Sequence, residues 1–155
     1  METTQVLESW DIHNRINLYL LDSIDAAHLT STLSSKGRNV GEQFAHIHNV
    51  RLMWLKVSAP DLMKGFTKIE KDGALDKKVL SSSITKSAKA IRTLLAKAFA
   101  SDGRVKNFKP HAAAFLAYLI SHESHHRGQI LLALKQSGRA VDKKIQYGIW
   151  EWGVR

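Results

Sequence analysis

His122-Glu-Ser-His-His-Arg-Gly-Gln129 is the most informative stretch of this chain, and it lies inside a long apolar pattern from about Pro110 to about Gln136. His122 and His126 are four residues apart, so on a helix their rings lie on one face, one turn apart. That spacing lets a single helix offer two imidazoles to one metal ion. A third ligand must then come from another part of the chain.

Three further helical patterns accompany this one, and no segment has the pattern of a strand. The four patterns run over about 4–27, 40–57, 83–100 and 110–136. Asn39 and Glu42 have the spacing of a capping pair at the start of the second pattern. The connection over about 58–82 is long, whereas the other two are short, and a long connection permits a crossover. The sequence therefore predicts an all-α four-helix bundle with one long crossover and an up-down-down-up order.

The composition describes an ordinary folded domain. The chain has 155 residues and no cysteine. One domain over residues 1–155 would bury roughly 70% of its unfolded surface, and the absence of cysteine excludes disulfides, thiolate metal sites and a cysteine nucleophile. Neither a signal segment nor an apolar run long enough to cross a bilayer is evident, so we expect a cytoplasmic protein without membrane contact. The tail after Gly138 is apolar, and we expect it to pack on the bundle or on a second subunit.

The chain is basic, with 23 Lys and Arg against 14 Asp and Glu and a net charge of +9. Such a charge could serve nucleic acid, anionic lipid or an anionic small substrate. The basic residues are densest between Lys64 and Lys109, where they lie largely off the apolar stripe. No aromatic residues alternate with them as base-stacking platforms do. We therefore expect a solvated basic face and do not expect a nucleic acid partner.

A helical wheel at about 100° per residue places His122 and His126 in the core-facing sector of the fourth pattern. That sector also holds Phe115, Leu119, Gln129, Ile130 and Ala133. His125 falls at its edge, and Arg127 is predicted to point mostly away. Two imidazoles on an apolar face need partners, because a buried polar group without one is costly. A metal ion and a hydrogen-bonded polar layer would both satisfy them.

The second pattern supplies a third histidine. On its wheel His46 lies with Val50, Met53 and Val57, which we predict to face the bundle axis, and His48 lies on the opposite side. His46, His122 and His126 can then form a three-histidine site. Three neutral nitrogen ligands suit Zn²⁺, Ni²⁺ or Fe²⁺. Without a fourth protein ligand one position stays open, as in catalytic rather than closed structural sites.

Other polar and aromatic residues are candidates for the surroundings of this site. His13 and Asn17 interrupt the apolar stripe of the first pattern, where they could line the cavity or orient a ligand histidine. A partly exposed stripe edge explains them equally well. Gln129 could bind a substrate or water, or it could only stabilise its helix. The aromatic candidates for a substrate pocket are Trp10, Trp54 and Tyr118.

The segment from His122 to His126 also reads H-E-x-x-H, the signature of zinc proteases. In such an enzyme Glu123 would be the general base, and a third ligand would follow downstream. Glu151 and Asp142 are the carboxylates available there. No strand pattern offers an edge to a peptide substrate, and a five-residue pattern with two free positions arises easily by chance. The protease interpretation is therefore the weaker one.

Two segments together resemble the DinB-like (DinB/YfiT) superfamily. They are Ala45-His-Ile-His-Asn-Val-Arg-Leu-Met-Trp54 and the His122–Gln129 stretch, and the Ile149-Trp-Glu-Trp152 tail is similar too. The resemblance implies a four-helix bundle that binds a divalent metal, often zinc or nickel, through three histidines. Residue by residue, these match the same three histidines that the wheels select. The resemblance also implies dimers and, in several members, thiol-dependent transfer or isomerisation with glutathione, mycothiol or bacillithiol.

These observations favour a metalloenzyme of thiol-dependent S-transferase or hydrolase type. Its expected cofactors are a divalent metal (zinc or nickel first, iron third) and a low-molecular-weight thiol, and its expected partners are a small-molecule substrate and a second copy of the chain. The thiol would occupy the open position and lose its proton there, because coordination to a cation lowers a thiol's pKa. The alternative is a non-catalytic metal- or ligand-binding stress protein.

Overall fold

The computed structural model describes residues 3–155, so the first two residues of the predicted domain lie outside the described range. Four long helices and one short helix occupy this range. They are α1 (Thr3–Asp22), α2 (Val40–Ser58), α3 (Lys77–Ala100), α4 (Ala112–Gln136) and α5 (Lys143–Gly148). Short 3₁₀ turns interrupt the connections. The described chain contains no strand, which confirms the all-α prediction.

Side-chain caps set where the helices begin. Asn39 and Glu42 form the predicted capping box at the start of α2, each side chain bonding the other's backbone N–H. The helix α3 begins at Lys77, six residues before the predicted start near 83, because the Asp76 carboxylate caps it by accepting backbone N–H groups of the first turn. The ring of His111 caps α4 in the same way. Three of the four predicted starts therefore lie within about two residues of the structure, and only the start of α3 was missed.

Contacts between the helices define the order of the bundle. The helix α1 lies beside α3 and α4, and α2 lies beside the same two, so that α1 and α2 are diagonal to one another. Lys77 at the start of α3 bonds the Asp22 carbonyl at the end of α1, so these helices are antiparallel. Gln43 near the start of α2 meets His126 late in α4, so these helices are antiparallel too. The turn just before α3 packs on Gly41 in the first turn of α2, so α2 and α3 are parallel, and the up-down-down-up bundle is confirmed.

The core consists of two apolar halves with a polar layer between them. One half is built around Phe44 and Leu20, and the other around Trp10 and Phe115. All four long helices pass from one half to the other, and at the crossing they bury polar side chains. These are His13, Asn17, Arg51, Ser87, Glu123 and Arg127. Paired polar groups in a core are tolerated only when they are hydrogen-bonded, and this layer fixes the rotation of the helices that carry it.

The long crossover between α2 and α3 is fastened to α2. The Asn49 side chain bonds the backbone of Ile69 in both directions, at 3.0 and 2.9 Å. Further along, the crossover packs so closely on Gly41 that a Cβ there would collide with the carbonyl oxygen of Ala74. The crossover therefore forms a fixed wall beside the first half of α2.

The C-terminal tail packs partly on the bundle, as expected. Ile149 is buried and Trp152 contacts the same core half, whereas Tyr147 and Trp150 are 69% and 76% exposed. Asp142 caps α5, and Glu151 pairs with Arg155. Within residues 3–155, every helix is too short or too polar to traverse a lipid bilayer.

Candidate metal centre

Three histidines from two helices converge on one point. His46 of α2 and His122 and His126 of α4 each offer a ring nitrogen, and the three nitrogens lie within 4.8 Å of one another. The His122 and His126 Nε2 atoms are 3.1 Å apart. Ring centroids of His46 lie 5.4 and 4.6 Å from those of His122 and His126. The structure thus brings together the three side chains that the sequence selects, and we call them the triad.

The triad lies at the surface between α2 and α4 and not at the bundle axis. His126 is buried, but His46 and His122 are partly exposed. The predicted inward face of α2 is wrong, since Met53 and Val57 are 50% and 43% exposed. The face that packs inward carries Phe44, Ile47, His48, Arg51 and Leu55. This rotation leaves one side of the triad open to small molecules.

Gln43 fixes the orientation of His126. Its Oε1 lies 2.6 Å from His126 Nδ1, and both residues are buried. An amide oxygen can only accept a hydrogen bond, so Nδ1–H is the donor and the lone pair of Nε2 faces the triad. Such a partner sets the tautomer of a ligating histidine and holds its ring in place. Sequence reasoning missed Gln43, although its place one turn before His46 is visible in the sequence.

The distances fit one small divalent ion. Two nitrogens bound tetrahedrally at 2.0–2.1 Å from an ion are about 3.3 Å apart, close to the 3.1 Å between His122 and His126 Nε2. His122 Nδ1 is buried without a hydrogen-bond partner among the described residues. The proton of this ring therefore belongs on Nε2, where it is donated to His126. A metal ion between these nitrogens would displace that proton, as ligand nitrogens require.

The surroundings keep the triad neutral. Burial, together with the neighbouring His122 and His46, lowers the pKa of His126 to about 3. Burial, with repulsion from the Arg38 guanidinium, lowers the pKa of His46 to about 4. The pKa of His122 is lowered as well, again chiefly by burial. Neutral imidazoles are the form that binds metal, so protons do not compete for the triad near neutral pH.

These shifts predict how the metal-free protein responds to acid. In the unfolded chain the three histidines take up protons near the ordinary pKa of 6.5, whereas in the folded chain the pKa of His46 is about 4, that of His126 is about 3, and that of His122 is also lowered. The contribution of these histidines to stability is therefore complete above about pH 6.5 and is lost as the pH falls from there toward about 3. We expect urea unfolding of metal-free protein to show a shallower loss when all three histidines are replaced by Asn. Equal losses over this range in both proteins would rule the triad out as the cause.

Replacing Gln43 by Leu is expected to weaken metal affinity by about ten- to hundredfold, the usual effect of losing a partner of a ligating histidine. The change keeps side-chain volume but leaves His126 Nδ1–H without an acceptor. Gln43→Glu keeps the acceptor and is expected to retain affinity. Gln129→Leu, on the same helix as His126, is the matched control. Calorimetric Zn²⁺ titration measures all four proteins, and equal affinities for wild type and Gln43→Leu would remove Gln43 from the site.

Behind the triad, Glu123 is the centre of the buried polar layer. Arg51 donates two hydrogen bonds of 2.7 Å each to its carboxylate. His13 and Asn17 reach the same carboxylate at 2.8 and 2.7 Å. Burial by itself would raise the pKa of Glu123, but the charge and hydrogen bonds of Arg51, with the bond from His13, outweigh it and hold the pKa well below its usual range.

This arrangement overturns the protease interpretation. Glu123 is only 1% exposed, and its carboxylate is occupied by Arg51, His13 and Asn17, so it is not available as a general base. Its side chain points to the interior, on the side of α4 away from the open face of the triad.

His13 and Asn17 serve this layer and bond neither nitrogen of a triad histidine. Burial lowers the pKa of His13, so its ring is neutral, with Nε2–H donating to Glu123. His13 Nδ1 then accepts a hydrogen bond from Arg127 Nη1 at 3.4 Å. Arg127 Nη1 also donates to Asn17 Oδ1 at 2.6 Å. The prediction that Arg127 points away from the core is wrong, since it is 7% exposed. Each of these buried charged and polar side chains has a hydrogen-bond partner within the layer, and this permits their burial.

Aromatic rings border the other side of the triad. Tyr118, one turn before His122, stacks on its ring at 6.1 Å between centroids. Trp54 packs edge-on against Tyr118 at 5.7 Å, and Phe108 and Phe115 complete the cluster. Trp54 therefore lies near the triad, where its ring contacts Tyr118. His125 is exposed, with its ring 5.2 Å from that of His126, and Gln129 is partly buried one turn beyond.

The fold and the triad define a class, that of helical bundles with an open three-histidine cluster compatible with metal binding. The model of the DinB family matches residues 1–144, and the chain belongs to this family. No curated protein and no solved structure matches the chain.

Proposed function

We propose that His46, His122 and His126 bind one divalent metal ion and that the protein is a metalloenzyme of thiol-dependent transferase or hydrolase type. The observation that supports this most is the convergence of three neutral histidine nitrogens with one partly exposed side. Zinc, nickel and ferrous iron all suit such ligands. A divalent ion there would lower the pKa of a thiol or water molecule at the open position.

The protein's own residues prepare this site. Gln43 holds His126 in the tautomer that presents Nε2, and the buried layer around Glu123 fixes the rotation of α4, which carries two of the three histidines. Tyr118 and Trp54 form an apolar wall against which a substrate carbon skeleton can pack. Because the three histidines would be the only protein ligands of the metal ion, a small ligand from solvent can take the open position without displacing a protein ligand.

One observation favours the alternative of a non-catalytic metal- or ligand-binding protein. Among the described residues, the carboxylate nearest in sequence to the triad is Glu123, and it is fully engaged in the interior. The three converging ligands also include no carboxylate, the type of base on which metal-dependent hydrolases commonly rely. A thiol that loses its proton on coordination needs no such base, and this is why transfer to a thiol is preferred here over hydrolysis.

Turnover with a panel of thiols separates the two functions. Zinc- or nickel-loaded protein is mixed with glutathione, mycothiol or bacillithiol and with 1-chloro-2,4-dinitrobenzene. Carbon–sulfur bond formation with loss of chloride is then followed by absorbance. The enzyme hypothesis expects metal-dependent turnover with at least one thiol and its loss in His126→Ala. Metal binding without turnover for any thiol would favour the non-catalytic alternative.

A further inference from the structure

A cleft of about 670 Å³ adjoins the triad, and its lining residues include none of the aromatic cluster. His46 lines both the cleft and the triad. The floor of the cleft is the outer face of α2, including Ala45. One wall is the crossover from Lys68 to Lys71, and the other is the turn at Gly37 and Arg38. A ligand bound in this cleft would therefore lie next to the metal-binding nitrogens.

The frame of the cleft is rigid. Asn49 bonds the backbone of Ile69 through both its amide atoms, and His48 Nε2 lies 3.2 Å from the carbonyl oxygen of Thr67. These bonds hold the crossover wall against α2. The opposite wall ends in the capping box of α2, where Asn39 and Glu42 are bonded to one another. Since both walls are fastened, the cleft exists before any ligand arrives.

The charged side chains around the cleft differ in whether they have hydrogen-bond or ion-pair partners. Glu70 pairs with Lys68 at 3.6 Å, and Glu42 is occupied by the capping box. In contrast, the guanidinium of Arg38 makes no hydrogen bond or ion pair with any residue of the range 3–155. Lys71 lines the facing wall of the cleft and is exposed. Among the described residues, the charged groups of the cleft that have no such partner are therefore cations.

We propose that this cleft binds the carboxylate end of an anionic small ligand, with Arg38 as the residue that recognises it. A guanidinium offers paired donors that match a carboxylate, which makes it the preferred residue for this role. The inference rests on the proposed metal site, because the other end of the ligand, a thiol, would reach the open position of the triad. The ligand class is thus a thiol that carries a carboxylate.

The test uses Co²⁺-loaded protein and two small thiols, 3-mercaptopropionate and uncharged 2-mercaptoethanol. Thiolate coordination to cobalt gives a charge-transfer absorption from which the affinity of each thiol is measured. We expect 3-mercaptopropionate to bind about tenfold more tightly, since a hydrogen bond to a charged group contributes that much. In Arg38→Met the two affinities should approach one another, because that of 3-mercaptopropionate falls more than that of 2-mercaptoethanol. Lys36→Met, which removes a cation two residues away and outside the cleft, should keep the preference.

The outcomes separate the two proposals. If the protein takes up no Co²⁺, the metal site fails and the cleft proposal falls with it. If cobalt binds but the two thiols have equal affinities, only the cleft proposal is overturned. A preference that survives in Arg38→Met would show that the carboxylate binds the metal itself, and a preference lost equally in Lys36→Met would show general charge attraction. Either result also overturns the assignment to Arg38.

Discussion

Glu123→Gln is expected to lower the free energy of unfolding by about 3–5 kcal/mol, the cost of leaving a buried charge without its partner. The amide keeps the size of the carboxylate and can still accept from His13 and Asn17. It removes the negative charge that balances Arg51, which is fully buried. The carboxylate is also the nearest counter-charge of Arg127 in the same layer. Urea denaturation measures the loss directly.

The control for this change is Glu8→Gln, an exposed glutamate on α1, for which less than about 0.5 kcal/mol is expected. Combining Glu123→Leu with Arg51→Met removes both charges and should recover part of the loss, while Arg127, His13 and Asn17 still lose their carboxylate partner. A loss below about 1 kcal/mol in Glu123→Gln would show that the buried layer does not hold the helices together. Stability retained with turnover abolished would instead return Glu123 to a catalytic role.

His126→Ala is expected to abolish stabilisation of the fold by zinc. At a free zinc concentration about 100 times the Kd, binding to the native state raises the free energy of unfolding by about 2.7 kcal/mol. His126 contributes one of the three converging nitrogens and contacts His122 directly. Without it two partly exposed histidines remain, and zinc should add less than about 0.5 kcal/mol under the same conditions.

The matched control is His125→Ala, which removes the neighbouring exposed histidine and leaves the triad intact. We expect it to keep the full response to zinc, and we expect His46→Ala and His122→Ala to lose it as His126→Ala does. Thermal melts with zinc and with a chelator give the response of each protein. If His125→Ala lost the response and His126→Ala kept it, the assignment of the site would be wrong.

The sequence predicted the helices and the three converging histidines because both depend on local spacing. The i,i+4 pair on α4 and the apolar stripes are visible within single segments, and the capping box before α2 is only four residues long. A bundle with one crossover then places His46 of α2 beside α4. These features need no knowledge of how distant side chains pair.

The buried layer could not be predicted in the same way. Arg51 and Glu123 can be buried only because each neutralises the other, and they are 72 residues apart in the chain. A helical wheel treats each of them as a solvent-facing charge. It therefore predicted that Met53 and Val57 form the inward face of α2 and that Arg127 points outward. Gln43 was missed for a similar reason, since its partner His126 lies 83 residues away. Long-range polar pairing, rather than hydrophobic pattern, set the rotation of these helices.

Metal content tests the central claim most directly. Purified protein is dialysed against zinc, then against metal-free buffer, and its metal is measured by mass spectrometry together with the protein concentration. We expect about one zinc ion per chain in wild type and in His125→Ala, and none in the variant that lacks His46, His122 and His126. Wild type without bound metal, or a triple variant that retains it, would contradict the proposed centre.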